Sequence, residues 1–81
     1  MRYGTDTQLS PEEVLARARA FFGAGGELGL PEARGGPGSV TFEGGGGGVA
    51  VSARAAAGRT EVTVLSREYD WWAERFLLEL R

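Results

Sequence analysis

The chain has 81 residues and a formal net charge of −2 at pH 7, and arginine is its only cationic side chain. A chain of this length forms a single domain, because it buries only about 60% of its unfolded surface and cannot divide into two cores. Cysteine, histidine, lysine and asparagine are absent. Their absence excludes thiolate and imidazole zinc sites, Ser-His and Cys-His nucleophile pairs, and lysine Schiff bases. These bounds favour a non-enzymatic domain with no metal and no cofactor.

Composition also indicates the class of partner and the location. The small net charge argues against general nucleic-acid binding, and no apolar run approaches the roughly 20 residues that a membrane span needs. The amino terminus lacks the apolar core of a signal peptide, so we predict a cytoplasmic location. Depletion of Asn, Gln, Cys and Met is typical of heat-adapted proteins, although a composition rich in Arg, Ala and Gly can equally reflect GC-rich coding. A thermophilic bacterial source is the expectation. So small a chain without disulfides gains stability from self-association, and we expect a homo-oligomer, with a dimer favoured.

The first predicted helix runs from Pro11 to Phe22. Ser10 is a natural N-cap, and Glu13, three residues later, completes a capping box. Gly23 is expected to end the helix. Residues 1–8, before the helix, are polar and have no apolar period, so we expect a loose lead-in.

A connection rich in glycine and proline follows the helix over residues 23–38. Such composition is typical of a flexible segment, although a structureless stretch of this length is uncommon in a compact domain. Leu28 and Leu30 alternate with other residues, which favours a short edge strand within residues 27–34 that Pro31 ends. The sequence leaves both alternatives open.

Three strands are predicted between residues 39 and 65, where apolar and polar side chains alternate. Their predicted bounds are Ser39–Glu43, Val49–Arg54 and Arg59–Leu65. The connections are too short for a crossover helix, so the strands form an antiparallel meander. Pairing Phe42 with Val49, and Val51 with Val62, places the apolar side chains on one common face.

The opposite face of this sheet is predicted to be mostly polar. Its residues are Thr41, Glu43, Ala50, Ser52, Arg54, Glu61, Thr63, Leu65 and Arg67. A solvated face of an antiparallel sheet has this composition. Because no aromatic residues interleave with the arginines there, the pattern argues against a platform for single-stranded nucleic acid.

The second predicted helix runs from Trp71 to Leu80, with Asp70 as its N-cap. Its apolar stripe consists of Trp72, Ala73, Phe76, Leu77 and Leu80. This stripe matches the apolar face of the sheet, so both helices are expected to cover that face. The predicted fold is an α+β two-layer sandwich, α-β(3-4)-α, with an antiparallel sheet of three to four strands. Trp71 and Leu78 fall on a side of the helix that the sheet need not cover.

The glycine run Gly44–Gly48 predicts a mobile hairpin loop. A phosphate-binding loop needs a following Gly-Lys-Ser/Thr and a helix, whereas here a strand follows and lysine is absent. The dinucleotide-binding spacing Gly-x-Gly-x-x-Gly does not occur either. Anion binding by backbone N–H groups is the alternative interpretation.

The candidate interface or ligand residues are Trp71, Leu78, Arg67, Tyr69 and Trp72. Trp, Tyr and Arg dominate binding hot spots, and an exposed indole beside a leucine is typical of a contact surface. In the structural alternative, Tyr69 and Trp72 complete the core and Arg67 pairs with a carboxylate. The first functional hypothesis is self-association or partner binding through the aromatic C-terminal helix. The second is a binding module for a small apolar or aromatic ligand held between that helix and the sheet.

The passages that suggest a resemblance are Gly38-Ser-Val-Thr-Phe-Glu-Gly-Gly-Gly-Gly, Val49-Ala-Val and Arg67-Glu-Tyr-Asp-Trp-Trp-Ala-Glu-Arg-Phe. In these passages the chain resembles small uncharacterised bacterial proteins that join a capped helix, a glycine-rich hairpin and a terminal aromatic helix. The resemblance implies that order of elements and brings no catalytic residues. More distantly, a helix gripped by a curved antiparallel sheet is similar to the larger helix-grip lipid-binding folds. This chain is far shorter, so we expect too few strands to enclose a cavity.

Overall fold

A computed structural model describes residues 1–81 and contains five strands and two helices. Their order is β1 (Arg2–Thr7), α1 (Pro11–Phe22), β2 (Glu32–Gly35), β3 (Ser39–Gly44), β4 (Gly47–Ala56), β5 (Arg59–Arg67) and α2 (Asp70–Leu80). All strands belong to one antiparallel sheet in the order β1-β5-β4-β3-β2. Helix α1 lies over β3 and β4, and α2 lies over β1 and β5. The α+β class is confirmed, but the sheet has five strands instead of three to four.

The hydrophobic core lies between the helices and one face of the sheet. Alternate residues of β3, β4 and β5 point toward the helices and are buried, as the period of two predicts. At the centre the Phe22 ring lies 5.9 Å from that of Phe42 and 5.2 Å from that of Phe76, between centroids. All three rings are almost fully buried. This aromatic cluster joins α1, β3 and α2.

The bounds of α1 are as predicted, because its end signals are local. The Ser10 hydroxyl accepts a hydrogen bond from the Glu13 N–H at 3.1 Å, and the Glu13 carboxylate accepts one from the Ser10 N–H at 2.9 Å. That second bond holds the pKa of Glu13 below its usual value. The predicted capping box is therefore confirmed.

The hairpin between β3 and β4 is tighter than the sequence predicts. Only Gly45 and Gly46 connect the strands, and both have positive φ, 61° and 85°, as a two-residue type I′ turn requires. The predicted pairing of Phe42 with Val49 is confirmed. The prediction of a mobile loop over Gly44–Gly48 is wrong, because the outer glycines of the run belong to the strands.

The pairing of β4 with β5 differs from the predicted register by two residues. Val51 lies opposite Val64, not Val62. The turn consists of Ala57 and Gly58, with φ of 52° and 79°, and a turn this short fixes the register. Since a shift of two residues keeps each side chain on its face, the common apolar face is unaffected.

The amino-terminal strand β1 replaces the predicted loose lead-in at residues 1–8. It pairs with β5 in an unbroken register. Tyr3, Thr5 and Thr7 turn toward the helices and are more buried than the residues between them. The buried Thr7 hydroxyl donates a hydrogen bond to the Leu80 carbonyl at 2.7 Å, which ties β1 to the end of α2. The prediction failed because the inward positions are mostly threonine and the partner strand is distant in sequence.

A strand does form in the glycine-rich connection, but not at the predicted place. The edge strand β2 begins after Pro31 instead of ending there. Leu28 and Leu30 lie outside it, and Leu30 packs into the core from the loop. Its N–H donates to the Phe22 carbonyl at 2.8 Å, so this loop is tied to the end of α1.

Gly47 provides a test of how closely the β3–β4 hairpin packs. A Cβ at this position would overlap the Arg67 carbonyl oxygen and lie 2.9 Å from the Tyr69 ring. We expect Gly47→Ala to lower the free energy of unfolding by about 2 kcal/mol, measured by urea denaturation, because backbone must move. Gly36→Ala is the control, since a Cβ there meets open space. Equal stability of the two variants would contradict the packing.

Candidate functional site

The five candidate residues lie in three different places. Trp71 and Leu78 lie on the side of α2 that faces away from the sheet, and both are exposed. Tyr69 and Trp72 are half-buried and pack against the core. Arg67 lies at the end of β5 on the face of the sheet that carries no helix. The structure therefore does not bring the five together into one site.

The outer face of α2, defined here as Trp71, Arg75 and Leu78, is the most apolar exposed surface on either helix. Trp71 is 63% exposed and Leu78 is 56% exposed. Seven residues span about two helical turns, so these side chains share one side of the helix. The Arg75 guanidinium lies 5.9 Å from the centroid of the Trp71 ring, a cation–π distance. This surface therefore has an apolar centre and a single cationic flank.

The Trp71 ring is also held by its neighbour. It meets the Trp72 ring edge to face, with centroids 4.9 Å apart, and the Trp72 ring in turn lies 6.2 Å from that of Phe21 in α1. Two consecutive indoles thus take opposite roles, because successive side chains on a helix point about 100° apart. Trp72 anchors α2 to α1, and Trp71 faces solvent.

Tyr69 joins the start of α2 to the β3–β4 hairpin. Its hydroxyl donates a hydrogen bond to the Gly44 carbonyl at 2.7 Å. Tyr69 also occupies the N-cap position, so the prediction that Asp70 caps α2 is wrong; Asp70 is the first helical residue, and its Oδ1 is buried without a hydrogen-bond partner. Glu68, which precedes the cap, has a positive φ of 73°. Tyr69 therefore ties the start of α2 to the β3–β4 hairpin.

Arg67 belongs to the open face of the sheet. Its guanidinium lies over Gly48, which has no side chain in the way, and reaches the Glu43 carboxylate at 4.0 Å. Both side chains are more than half exposed, and an exposed pair of this kind contributes little stability. Nearby, Leu65 is 48% exposed and helps to line a shallow depression of about 550 Å³. This face carries the side chains that the sequence predicts, including the exposed Leu65.

The space between α2 and the sheet is filled by side chains. Ala73, Phe76, Leu77 and Leu80 are buried there. None of the four main surface depressions is lined by Tyr69 or Trp72. The hypothesis of a small ligand held between the helix and the sheet stays a prediction.

A surface that the sequence reasoning missed lies where α2 borders β1. A shallow depression of about 390 Å³ is lined by Tyr3, Gly4, Glu74, Leu77, Leu78 and Arg81. Desolvation, followed by the carboxylates of Asp70 and Glu74, raises the pKa of Tyr3. The available signal was the alternation of Tyr3, Thr5 and Thr7, since aromatic and β-branched residues are enriched in strands.

Comparisons with protein-family models, with curated proteins and with solved structures found no match. The molecule has no group of three or more His, Cys, Asp or Glu side chains placed to hold a metal ion. Neither helix has the length and apolar character required to cross a membrane.

Tyr69→Phe separates a structural role from a role in an interface. Loss of the hydroxyl removes the bond to the Gly44 carbonyl, and we expect the free energy of unfolding to fall by about 1 kcal/mol in urea denaturation. Self-association, measured by sedimentation velocity on the same variant, should not change. Unchanged stability together with weakened association would contradict the structural assignment.

Proposed function

We propose that this protein is a small non-enzymatic domain that self-associates through the outer face of α2. The observation that carries the proposal is the exposure of Trp71 and Leu78 on one side of a helix. Fully burying a leucine side chain is worth about 2 kcal/mol, and tryptophan is among the residues that dominate binding energy at interfaces. A contact that covers both side chains would therefore stabilise the assembly.

The position of the Trp71 ring supports binding with little loss of entropy. The ring already contacts the Trp72 ring and lies 5.9 Å from the Arg75 guanidinium. Association costs about 0.5–1.5 kcal/mol for each flexible side chain that becomes ordered. Because these contacts restrain the ring in the monomer, the entropy that the Trp71 side chain loses on association is smaller.

A second copy of the chain is the partner that the size of the domain favours. A domain of 81 residues leaves a large fraction of its apolar surface in contact with water. Self-association is a common route by which such small domains gain stability. The outer face of α2 is available for it, since no other element of the chain covers Trp71 or Leu78.

Trp71→Ala tests the proposal. We expect the wild-type protein to sediment as a dimer at tens of micromolar, and the variant to dissociate at least about tenfold more readily, because a buried aromatic anchor is lost. The fold should remain, since exposed positions contribute about 0.5 kcal/mol or less.

Leu65→Ala is the matched control, because Leu65 is similarly exposed but lies on the open face of the sheet. Its association should equal that of the wild type. A wild-type protein that stays monomeric, or two variants that weaken association equally, would overturn the proposal.

A further inference from the structure

The outer edge of β1 adjoins α2 and has no strand beside it. We propose that two copies of the chain join by antiparallel pairing of β1 with the partner's β1 about a twofold axis at Gly4, which sets the two α2 helices side by side. The inference rests on the proposed self-association through α2; across the axis the two helices would meet through the Leu78 side of their outer faces. It adds the geometry of the dimer and the residues that fix it.

The two edges of the sheet differ in how they resist pairing. β2 has four residues, follows Pro31, and its register shifts between Glu32 and Arg34. Short length, proline and irregularity are features that keep an edge strand from pairing with another chain. β1 pairs regularly with β5 along its length and contains neither proline nor a bulge. The edge at β1 is therefore the one left open.

The hydrogen bonding of β1 shows which residues face outward. The Met1 ammonium donates to the Ser66 carbonyl at 2.7 Å, and the Ser66 N–H donates to the Met1 carbonyl at 2.8 Å. Because such bonding alternates along an antiparallel strand, Arg2, Gly4 and Asp6 direct their N–H and C=O groups away from β5. An axis at Gly4 matches each of these residues with an outward-facing residue of the second copy. Every outward N–H and C=O of the strand then gains a main-chain partner.

The charges of β1 are self-complementary about the same point. Arg2 and Asp6 lie two residues on either side of Gly4, and all three lie on the open face of the sheet. The axis places Arg2 opposite the partner's Asp6, and symmetry repeats that pair. Opposite charges directly across a strand pair stabilise it. A slip of two residues would instead place Gly4 opposite a charged residue.

Arg2 is free for this contact, and Asp6 can make it while keeping its own ion pair. Arg2 makes no ion pair within the chain, whereas Asp6 lies 3.3 Å from the Arg59 guanidinium. The partner's Arg2 would approach Asp6 from the side opposite β5, so the carboxylate would lie between two guanidinium groups. The contact adds a charge pair without breaking one.

The position of α2 allows the helices to meet across the axis. The helix lies over both β1 and β5 and runs in the direction of β1, since Tyr3 lies near Asp70 and Glu74 while Thr7 bonds to Leu80. With a strand spacing of about 4.8 Å, two helices so placed would be about 10 Å apart. That separation is the usual distance between packed helices.

The flank of α2 beside the axis is also self-complementary. Gly4 lines the same depression as Glu74, Leu78 and Arg81. The twofold axis makes the helices antiparallel, so the half of α2 that carries Glu74 faces the half that carries the partner's Arg81. Neither Glu74 nor Arg81 has an ion pair within its own chain. Leu78 is brought to the interface between them.

Charge reversal on β1 tests this arrangement in the full chain. Arg2→Asp replaces both opposite-charge pairs with like-charge pairs, so we expect the dimer to dissociate at least about tenfold more readily in sedimentation velocity. Asp6→Arg should have the same effect. An equimolar mixture of the two variants should dimerise again, because every cross-strand pair in the mixed dimer then has opposite charges. A variant that had merely unfolded could not be rescued in this way.

Arg34→Asp is the matched control, since Arg34 is an exposed arginine on the other edge strand. It should leave association unchanged. If Arg2→Asp associates like Arg34→Asp while Trp71→Ala weakens association, pairing through β1 is wrong and self-association through α2 stands. A mixture of the two β1 variants that stays monomeric also overturns the pairing. A monomeric wild-type protein overturns both proposals.

Discussion

The pairing of β1 with β5 is the constraint on which the other features of the molecule depend. It brings the first residues of the chain against the last strand and widens the surface on which α2 rests. The Thr7 hydroxyl then fixes the end of α2 through the Leu80 carbonyl. Without β1, one side of α2 would extend beyond the sheet and expose its buried residues. The same pairing leaves β1 at the edge of the sheet. It therefore both stabilises the monomer and provides the strand edge of the proposed dimer contact.

The aromatic residues divide into those that hold the fold and those that face solvent. Phe22, Phe42 and Phe76 form the centre of the core, and Tyr69 holds the glycine hairpin against the start of α2. Trp71 is left exposed because the helix turns by about 100° per residue and its neighbour takes the inward position. An exposed ring restrained by its neighbours is suited to a contact surface, since less order remains to be imposed on binding.

Features set by neighbouring residues could be predicted from the sequence, and features set by distant ones could not. The start of α1 and the hydrogen bonding between Ser10 and Glu13 could both be predicted, because the two residues of a capping box are only three positions apart in the chain. Alternation predicted β3 to β5 and the common face. β1 escaped prediction because its only partner strand lies far along the chain, and the threonines at its inward positions give little apolar pattern.

Only part of the candidate surface could be predicted, namely the part set by residues close in the chain. The exposure of Trp71 and Leu78 on one side of α2 could be predicted from their spacing of seven residues. The border with β1, lined by Tyr3, Gly4 and Glu74, depends on a strand where the sequence predicts a loose segment. The two-residue turn between β4 and β5 could not be predicted either. Its first residue, Ala57, has φ of 52°, whereas Asn or Asp is typical of that position.

The pairing of β1 with β5 can be tested by residue-resolved amide hydrogen exchange, measured at protein concentrations below and above the dimer dissociation constant. Tyr3 and Thr5 should be protected at both concentrations, because their N–H groups face β5. Gly4 should exchange freely in the monomer and become protected as the dimer forms. Exchange of Tyr3 and Thr5 at the rate of an unstructured segment would contradict the pairing of β1 with β5.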